Sequence, residues 1–161
     1  VHIDIPGGEP FLSQVNKQKD LLTYYVNTGQ AKNISLHYTT NVQQFPDNDF
    51  WNLWQHFNEV DMQLSIDGIG NHYEYIRYPA SWNKALELTK KYIKLEQELP
   101  YLRLSVSHTV SAYNVYYLDE FFNWCSEIGL PKPYTGRVHT PAALRPEVLK
   151  HTKVINKLNN S

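Results

Sequence analysis

The residues best suited to hold a ligand come at the start of the sequence, in Gly7, Gly8, Glu9 and Pro10, directly after the short apolar stretch 2–5. Glycine tolerates a positive φ and lets a ligand approach the main chain closely. Glu9 adds a carboxylate at the same turn, and Pro10 fixes the direction in which the chain leaves it. Such a turn can receive the amino group of a small molecule. The alternative from these four residues is a tight strand-to-helix turn without a ligand.

Polar residues also follow three further predicted strands. They are Thr39, Thr40 and Asn41 after the second strand, Ser65, Asp67 and Gly68 after the third, and Ser107, His108, Thr109, Ser111 and Asn114 at the end of the fourth. In parallel α/β folds ligands bind at the carboxyl ends of the strands. Four polar strand ends in succession therefore predict a ligand site.

These groups suit a zwitterionic ligand that carries a nucleoside. Glu9 and exposed carbonyl groups can receive an ammonium, and Ser65 can bind a carboxylate. Arg77 follows closely enough to fold back and clamp that carboxylate in bidentate fashion, although a surface ion pair with Glu74 is an equal alternative. Asp67 either fixes its loop, takes a ligand hydroxyl, or caps a turn.

Other kinds of active site find little support in the sequence. Ser65 and His108 come from neighbouring strands, but no third group is evident to orient the histidine, so His108 is predicted to line the cavity. Cys125, the single cysteine, lies in an apolar helical stretch and is predicted to be buried and inert. No phosphate-binding loop, dinucleotide fingerprint or zinc-type spacing is present.

Length and charge restrict the class of protein. The 161 residues suit a single domain over 1–161, with a helical tail over 141–161. A net charge of −1 argues against a nucleic-acid partner, and no apolar run reaches membrane-spanning length, so we expect a cytoplasmic protein without a membrane partner. Because Val1 already belongs to a strand, we expect the chain to be part of something longer.

The elements that position these residues alternate between strand and helix. We predict strands near 2–5, 34–39, 61–66, 102–109 and 135–139, and helices near 13–28, 47–57, 82–98, 115–128 and 146–158. The helix signals are an N-cap at Ser13, Pro46 and Asp47 at the start of the second helix, and a stop at Gly29, Pro100 or Gly129. Strands separated by helices pair in parallel.

Two of the strands, 34–38 and 102–106, alternate apolar with polar residues. A sheet covered on both faces would instead read as continuously apolar, whereas a barrel strand beside a polar cavity alternates. We therefore predict an α/β fold, a partial (β/α) TIM-like barrel that is incomplete at its N-terminal edge. An open strand edge can pair with another copy, so a homodimer is predicted.

The motifs GGEP at 7–10, TTN at 39–41, SIDG at 65–68 and EYIR at 74–77, with Trp82 beyond them, resemble radical S-adenosylmethionine (SAM) enzymes. The likeness covers roughly residues 1–140, and the group that it resembles most carries a SPASM or twitch domain. The resemblance implies an incomplete barrel that holds a [4Fe-4S] cluster and SAM. It also implies cleavage of SAM to a 5′-deoxyadenosyl radical, which abstracts hydrogen from a substrate.

Matching the motifs assigns ligand roles to individual residues. The resemblance implies that the methionine amino group contacts Gly7, Gly8 and Glu9, the carboxylate contacts Ser65 and Arg77, the ribose contacts Asn41, and the adenine lies beside Thr109 to Ser111. Asp67 remains a candidate for the loop or for a hydroxyl of the ligand. The substrate, a small molecule or a peptide, is not specified by these motifs.

The sequence departs from this family in one respect that decides activity. Family members ligate the cluster through a CxxxCxxC motif upstream of GGEP, and one cysteine cannot supply three thiolates. The chain is therefore predicted to be a fragment, covering about strands two to six of the barrel, that is inactive alone and binds no cluster. The alternatives are a non-catalytic module that binds a nucleoside or a protein, and an unrelated α/β-barrel enzyme in which GGEP is coincidental.

Overall fold

The computed structural model describes residues 1–5, 8–12 and 15–149. Over these residues the chain forms five strands and five α-helices, with one or two helices between successive strands. The strands are β1 (His2–Ile5), β2 (Ser35–Thr40), β3 (Glu59–Ser65), β4 (Leu102–Val110) and β5 (Tyr134–Arg137). They form one sheet in the order β1-β2-β3-β4-β5, with parallel register recorded for β1 with β2, β2 with β3 and β4 with β5. The predicted partial (β/α) barrel is confirmed.

The helices are α1 (Val15–Asn27), α2 (Asn48–Trp54), α3 (Gly70–Ile76), α4 (Trp82–Glu98) and α5 (Leu118–Ile128). Short 3-10 helices occur at Ala31–Asn33, Val115–Tyr117, Ala142–Leu144 and Pro146–Leu149. Helix α3 was not predicted, because its seven residues bury only Tyr73 and show no helical apolar period. The predicted cap Ser13 and most of the predicted helix 146–158 lie outside the described residues.

The chain divides into two compact units. Unit 1 comprises Val1–Leu64 and Lys84–Ser105, and unit 2 comprises Ser65–Asn83 and the residues from Val106 onward. Strands β3 and β4 each contribute to both units. In the sheet order β1 is a terminal strand, and its pairing with a second copy stays a prediction.

The core of unit 1 follows the alternation of its strands. Every second side chain along each strand is buried, namely Leu36, Tyr38 and Thr40 in β2 and Val60, Met62 and Leu64 in β3. The residues between them are only half-buried. Helix α2 adds buried Phe50 and Trp54, and α4 adds Ala85, Leu88, Thr89 and Tyr92. Leu86 and Ile93 of α4 are only half-buried.

The core of unit 2 is built around the end of β4 and helix α5. Val110, Val115 and Leu118 form a buried cluster, against which Leu149 packs. Helix α5 ends at Gly129, whose φ of 86° lies in the left-handed region, where glycine avoids the strain of a Cβ atom. Cys125 is buried on this helix, as predicted, and burial raises the pKa of its thiol to about 12.

Candidate functional site

In unit 1, Glu9 fastens the turn that follows β1 to the end of β2. Its carboxylate accepts hydrogen bonds from Thr40 Oγ1, at 3.0 Å to each oxygen, and from the Asn41 N–H at 2.9 Å. A longer bond of 3.4 Å comes from the Phe11 N–H. Burial raises the pKa of Glu9, while these hydrogen bonds act in the opposite direction. Glu9 thus brings a partly buried carboxylate to the carboxyl ends of β1 and β2.

The neighbours of Glu9 differ in what they leave open to a ligand. A Cβ atom built on Gly8 would meet no atom within 4 Å, so its main chain can be approached. Asn41 Oδ1 accepts the Gln43 N–H at 2.9 Å, and Thr40 Oγ1 accepts the Val42 N–H at 3.1 Å. Gly7 lies outside the described residues.

In unit 2, Arg77 folds back on the end of β3, as predicted. Its Nη2 donates to Ser65 Oγ at 2.6 Å and pairs with Asp67 Oδ2 at 2.8 Å. The alternative ion pair with Glu74 is wrong, since Glu74 accepts the Trp82 N–H at 2.8 Å instead. Arg77, Ser65 and Asp67 therefore form one group, called here the Arg77 group.

Asp67 fixes the loop after β3, which was one of its predicted roles. Besides Arg77, its carboxylate accepts the Thr109 N–H at 2.7 Å. Asn114 Nδ2 donates to the carbonyl oxygens of Asp67 and Thr109, at 2.9 Å each. The Ser111 N–H donates to Asn114 Oδ1 at 2.7 Å. Asn114, which the sequence placed among the polar residues of the predicted ligand site, joins the loops after β3 and β4.

These bonds limit how Thr109 and Ser111 could contact an adenine. The main-chain N–H groups of Thr109 and Ser111 already donate hydrogen bonds, to Asp67 and to Asn114 respectively. Ser111 Oγ is buried and accepts the Tyr113 N–H at 3.2 Å. The exposed side chain of Thr109 remains for contact with a ligand.

His108 does not line a cavity, so that prediction was wrong. Its side chain is 1% exposed and stacks on Phe121 with ring centroids 4.3 Å apart. Nδ1 donates to the Ile66 carbonyl at 2.9 Å, and burial lowers the pKa of the ring. The reason is strand parity, because residues 102, 104, 106, 108 and 110 of β4 share the buried face.

The Arg77 group suits a carboxylate ligand. Ser65 Oγ accepts from Arg77 and so keeps its own proton to donate. Within the described part of the chain, Arg77 Nε is a buried N–H without a hydrogen-bond partner. A buried N–H destabilises the folded protein unless a hydrogen-bond acceptor pairs with it. A hydroxyl and a guanidinium N–H are donors of the kind that carboxylates accept from.

An iron–sulfur cluster does not fit the residues of this chain. Such clusters are held by several thiolates, whereas Cys125 is a single buried thiol. Among residues 1–5, 8–12 and 15–149, no group of three or more His, Cys, Asp or Glu side chains is arranged to hold a metal ion. Over the same residues, no helix is long and apolar enough to cross a membrane.

One polar cluster was missed in the sequence. His37, Asp61 and Ser105, from β2, β3 and β4 of unit 1, are joined by hydrogen bonds. The alternation of these strands was the signal, because it places all three on the face opposite the buried residues.

Comparison with known proteins gives matches among solved structures. No protein-family model and no curated protein matches this chain. The structure of anSMEcpe with bound AdoMet matches with a TM-score of 0.72 and 15% identity, over 99% of this chain and 43% of that one. SuiB of Streptococcus suis bound to S-adenosylmethionine matches with a TM-score of 0.64 and 13% identity, over 99% of this chain and 36% of that one.

A structure of anSMEcpe with bound AdoMet and the Kp18Cys peptide matches with a TM-score of 0.69 and 16% identity, over 87% of this chain and 38% of that one. This chain thus spans less than half the length of each of these proteins. At such identities the likeness is one of fold. The matched proteins are radical SAM enzymes, and this chain has the fold of the corresponding part of their structures.

Proposed function

We propose that this chain is the SAM-binding part of the barrel of a radical SAM enzyme. In the whole enzyme SAM would supply a 5′-deoxyadenosyl radical, which abstracts hydrogen from a substrate. Ligands for the [4Fe-4S] cluster would come from residues outside these 161, because this chain has a single buried cysteine. The 161 residues alone are therefore expected to be inactive.

The observation that carries this proposal is the Arg77 group. Arg77 is tied to Ser65 and Asp67, and it presents a buried N–H without a partner in the described part of the chain. The proposal assigns the methionine carboxylate to Arg77 and Ser65. Two proteins that share this fold over part of their length, anSMEcpe and SuiB, have AdoMet and S-adenosylmethionine bound, which supports a SAM-binding role.

Taken by itself, unit 1 offers groups that an ammonium group could contact. Glu9 supplies negative charge, and its carboxylate keeps lone pairs beyond those that Thr40 and Asn41 occupy. Gly8 leaves its main chain open to close approach. The roles of Gly7, Asn41, Thr109 and Ser111 stay those that the resemblance implies.

The test is the affinity of the purified chain for SAM, measured by isothermal titration calorimetry. Arg77→Ala should weaken binding roughly tenfold or more, because a hydrogen bond to a charged group contributes about 1.5–3 kcal/mol. Arg77→Lys should fall in between, since lysine keeps the charge but loses the planar fork. Lys94→Ala, which removes an exposed ion pair with Glu98, is the matched control and should bind as the wild type does.

Two outcomes would contradict the proposal: a folded wild-type chain that binds no SAM, or equal affinity in the wild type and Arg77→Ala. Because Arg77→Ala also leaves Asp67 without its cation, circular dichroism must show that the variant is folded. Ser65→Ala provides a second variant, since it removes one donor and leaves the ion pair intact. It should weaken SAM binding by less than Arg77→Ala does.

The second candidate function is a non-catalytic module that binds a nucleoside or a protein. The lone buried thiol of Cys125 favours it, because nothing in the described chain can hold a cluster. Anaerobic reconstitution with iron and sulfide distinguishes the two when it is applied to a longer product of the same gene. Cluster formation there favours the enzyme, whereas SAM binding without a cluster favours the module.

A further inference from the structure

The half-buried face of the sheet in unit 1 carries polar side chains that the proposed function does not use. His37 and Thr39 lie on β2, Asp61 and Gln63 on β3, and Ser105 on β4. A sheet face covered by other elements would carry apolar side chains, whereas this face is half-buried. The polar residues here instead form a connected network.

At the centre of this network Asp61 holds His37. His37 Nδ1 lies 2.6 Å from Asp61 Oδ2, and Ser105 Oγ donates to Asp61 Oδ1 at 2.8 Å. Since a carboxylate only accepts hydrogen bonds, Nδ1 must carry the proton of a neutral His37. The lone pair of the ring then lies on Nε2.

That Nε2 atom is available to a ligand. In the part of the chain that the structure describes, its recorded contact is a long one, 3.5 Å to Thr39 Oγ1. The Thr39 hydroxyl donates to Gln63 Oε1 at 3.3 Å, so its proton is engaged elsewhere. The side chains of His37 and Asp61 are 23% and 29% exposed, so both are partly shielded and still within reach of solvent.

The arrangement differs from a nucleophilic triad. Ser105 contacts Asp61 and donates to it, whereas a nucleophilic serine would contact the imidazole. The serine therefore orients the carboxylate, the carboxylate orients the imidazole, and the imidazole presents a basic nitrogen. This is the geometry of a general base held by a second residue.

We propose that His37 is a proton-accepting residue for a polar ligand that lies on this face of unit 1 and bears a hydroxyl or ammonium group. The Nε2 lone pair takes the proton of that group, and the electron pair of the broken O–H or N–H bond stays on the ligand. The imidazolium so formed keeps its Nδ1–H on the Asp61 carboxylate, which stabilises the positive charge. Asp61 and Ser105 are positioning residues. The inference rests on unit 1 alone and does not depend on SAM binding.

The first test is the tautomer of His37, read from nitrogen-15 NMR of the imidazole rings in mildly alkaline buffer, where imidazole is neutral. In the wild type Nδ1 should be protonated and Nε2 bare. Asp61→Asn keeps the shape of the side chain. Because Ser105 donates to one atom of this group, the amide oxygen should take the Ser105 proton and the amide N–H₂ should face Nδ1. The proton of His37 should then move to Nε2.

Asp49→Asn is the matched control, since Asp49 pairs with Lys19 at 2.7 Å and its side chain is 70% exposed. It should leave the His37 signals unchanged. A wild-type His37 protonated at Nε2 would overturn the proposal, because that atom could not then accept a proton. So would a tautomer that Asp61→Asn leaves unaltered.

The second test is access to Nε2, probed by acylation with diethyl pyrocarbonate and mapped by mass spectrometry. A bare imidazole nitrogen attacks this reagent, and ethyl carbonate leaves. His37 should be acylated in the wild type, with a severalfold slower rate in Asp61→Asn and an unchanged rate in Asp49→Asn. If His37 is not acylated in the folded wild type, the pair with Asp61 is structural only and the proposal fails.

Discussion

At the scale of single residues, the buried or partly buried carboxylates of the two units each have several hydrogen-bond partners. Asp67 is 7% exposed, and it accepts from Arg77 and from the Thr109 N–H. Glu9 accepts from Thr40 and Asn41. Burying an unpaired charge is far more costly than burying a paired one. These contacts therefore explain how ionisable side chains can be kept, partly or largely buried, at the ends of the strands.

The balance of forces on Glu9 gives a prediction for the pH dependence of stability. Burial raises the pKa of Glu9 above its ordinary value. Between the two values the folded chain holds a proton that the unfolded chain has released, so stability should fall as the pH rises. This contribution is fully present below the ordinary pKa of glutamate and is lost as the pH rises through the folded pKa.

Urea unfolding of the wild type and of Glu9→Gln, across a series of pH values, measures this effect. The free energy of unfolding of the wild type minus that of the variant should decline through this window and be flat on either side. A difference that instead rises with pH would mean that the hydrogen bonds from Thr40 and Asn41 outweigh the cost of burial.

At the scale of elements, the ends that local chemistry fixes agree with the sequence. Helix α2 begins after Asp47, whose carboxylate accepts from the Asp49 and Phe50 N–H groups, and α1 is followed by Gly29 with a φ of 69°. Caps act within one turn, so a single sequence is enough to locate them. Helix α3 is held in another way. Arg77, which follows α3, is bound to Ser65 and Asp67 at the end of β3. The local sequence pattern does not determine which partner Arg77 takes.

The N-cap of α2 can be tested by substitution of Asp47. Asp47→Ala should lower the free energy of unfolding by about 1 kcal/mol, because two N–H groups lose their acceptor. Asp47→Asn should cost less, since asparagine also caps helices well. Chemical denaturation measures both.

The comparison of these two variants also separates the cap from the ion pair of Asp47 with Lys19, which spans 2.7 Å. Exposed ion pairs contribute little, and Lys19 has a second partner in Asp49 at 2.7 Å. If Asp47→Asn costs as much as Asp47→Ala, the charge of Asp47 is the stabilising feature rather than the cap.

On the scale of the whole molecule, each compact unit has its own source of stability. In unit 1 this is an aromatic cluster around Trp54, which is fully buried and donates from Nε1 to the Tyr38 hydroxyl at 3.2 Å. Phe50, Trp51 and Tyr38 lie around it, with ring centroids between 4.9 and 5.2 Å from its own. Large buried side chains of this kind dominate the energetics of a core.

Trp54→Ala should therefore lower the free energy of unfolding by about 3–5 kcal/mol. That is a large part of the roughly 5–15 kcal/mol that stabilise a typical domain. Trp51→Ala, on the same helix but at a half-buried position, should cost clearly less. Thermal and urea unfolding provide the measurement, and equal losses in the two variants would contradict the assigned role of Trp54.

The sequence by itself determined the alternation of strands and helices, the helix start near Asp47, the helix end at Gly129, the inert Cys125 and the motifs that resemble radical SAM enzymes. All of these are local, because caps, periods and motifs act within a few residues. Only the tertiary structure decided which face of each strand is covered. The helices pack on one face of each strand and so decide which alternate side chains are buried. His108 lies on the buried face, whereas His37 lies on the other face beside Asp61. Likewise Arg77 pairs with Asp67 rather than with its helical neighbour Glu74, since a partly buried cation takes the partner that the fold brings to it.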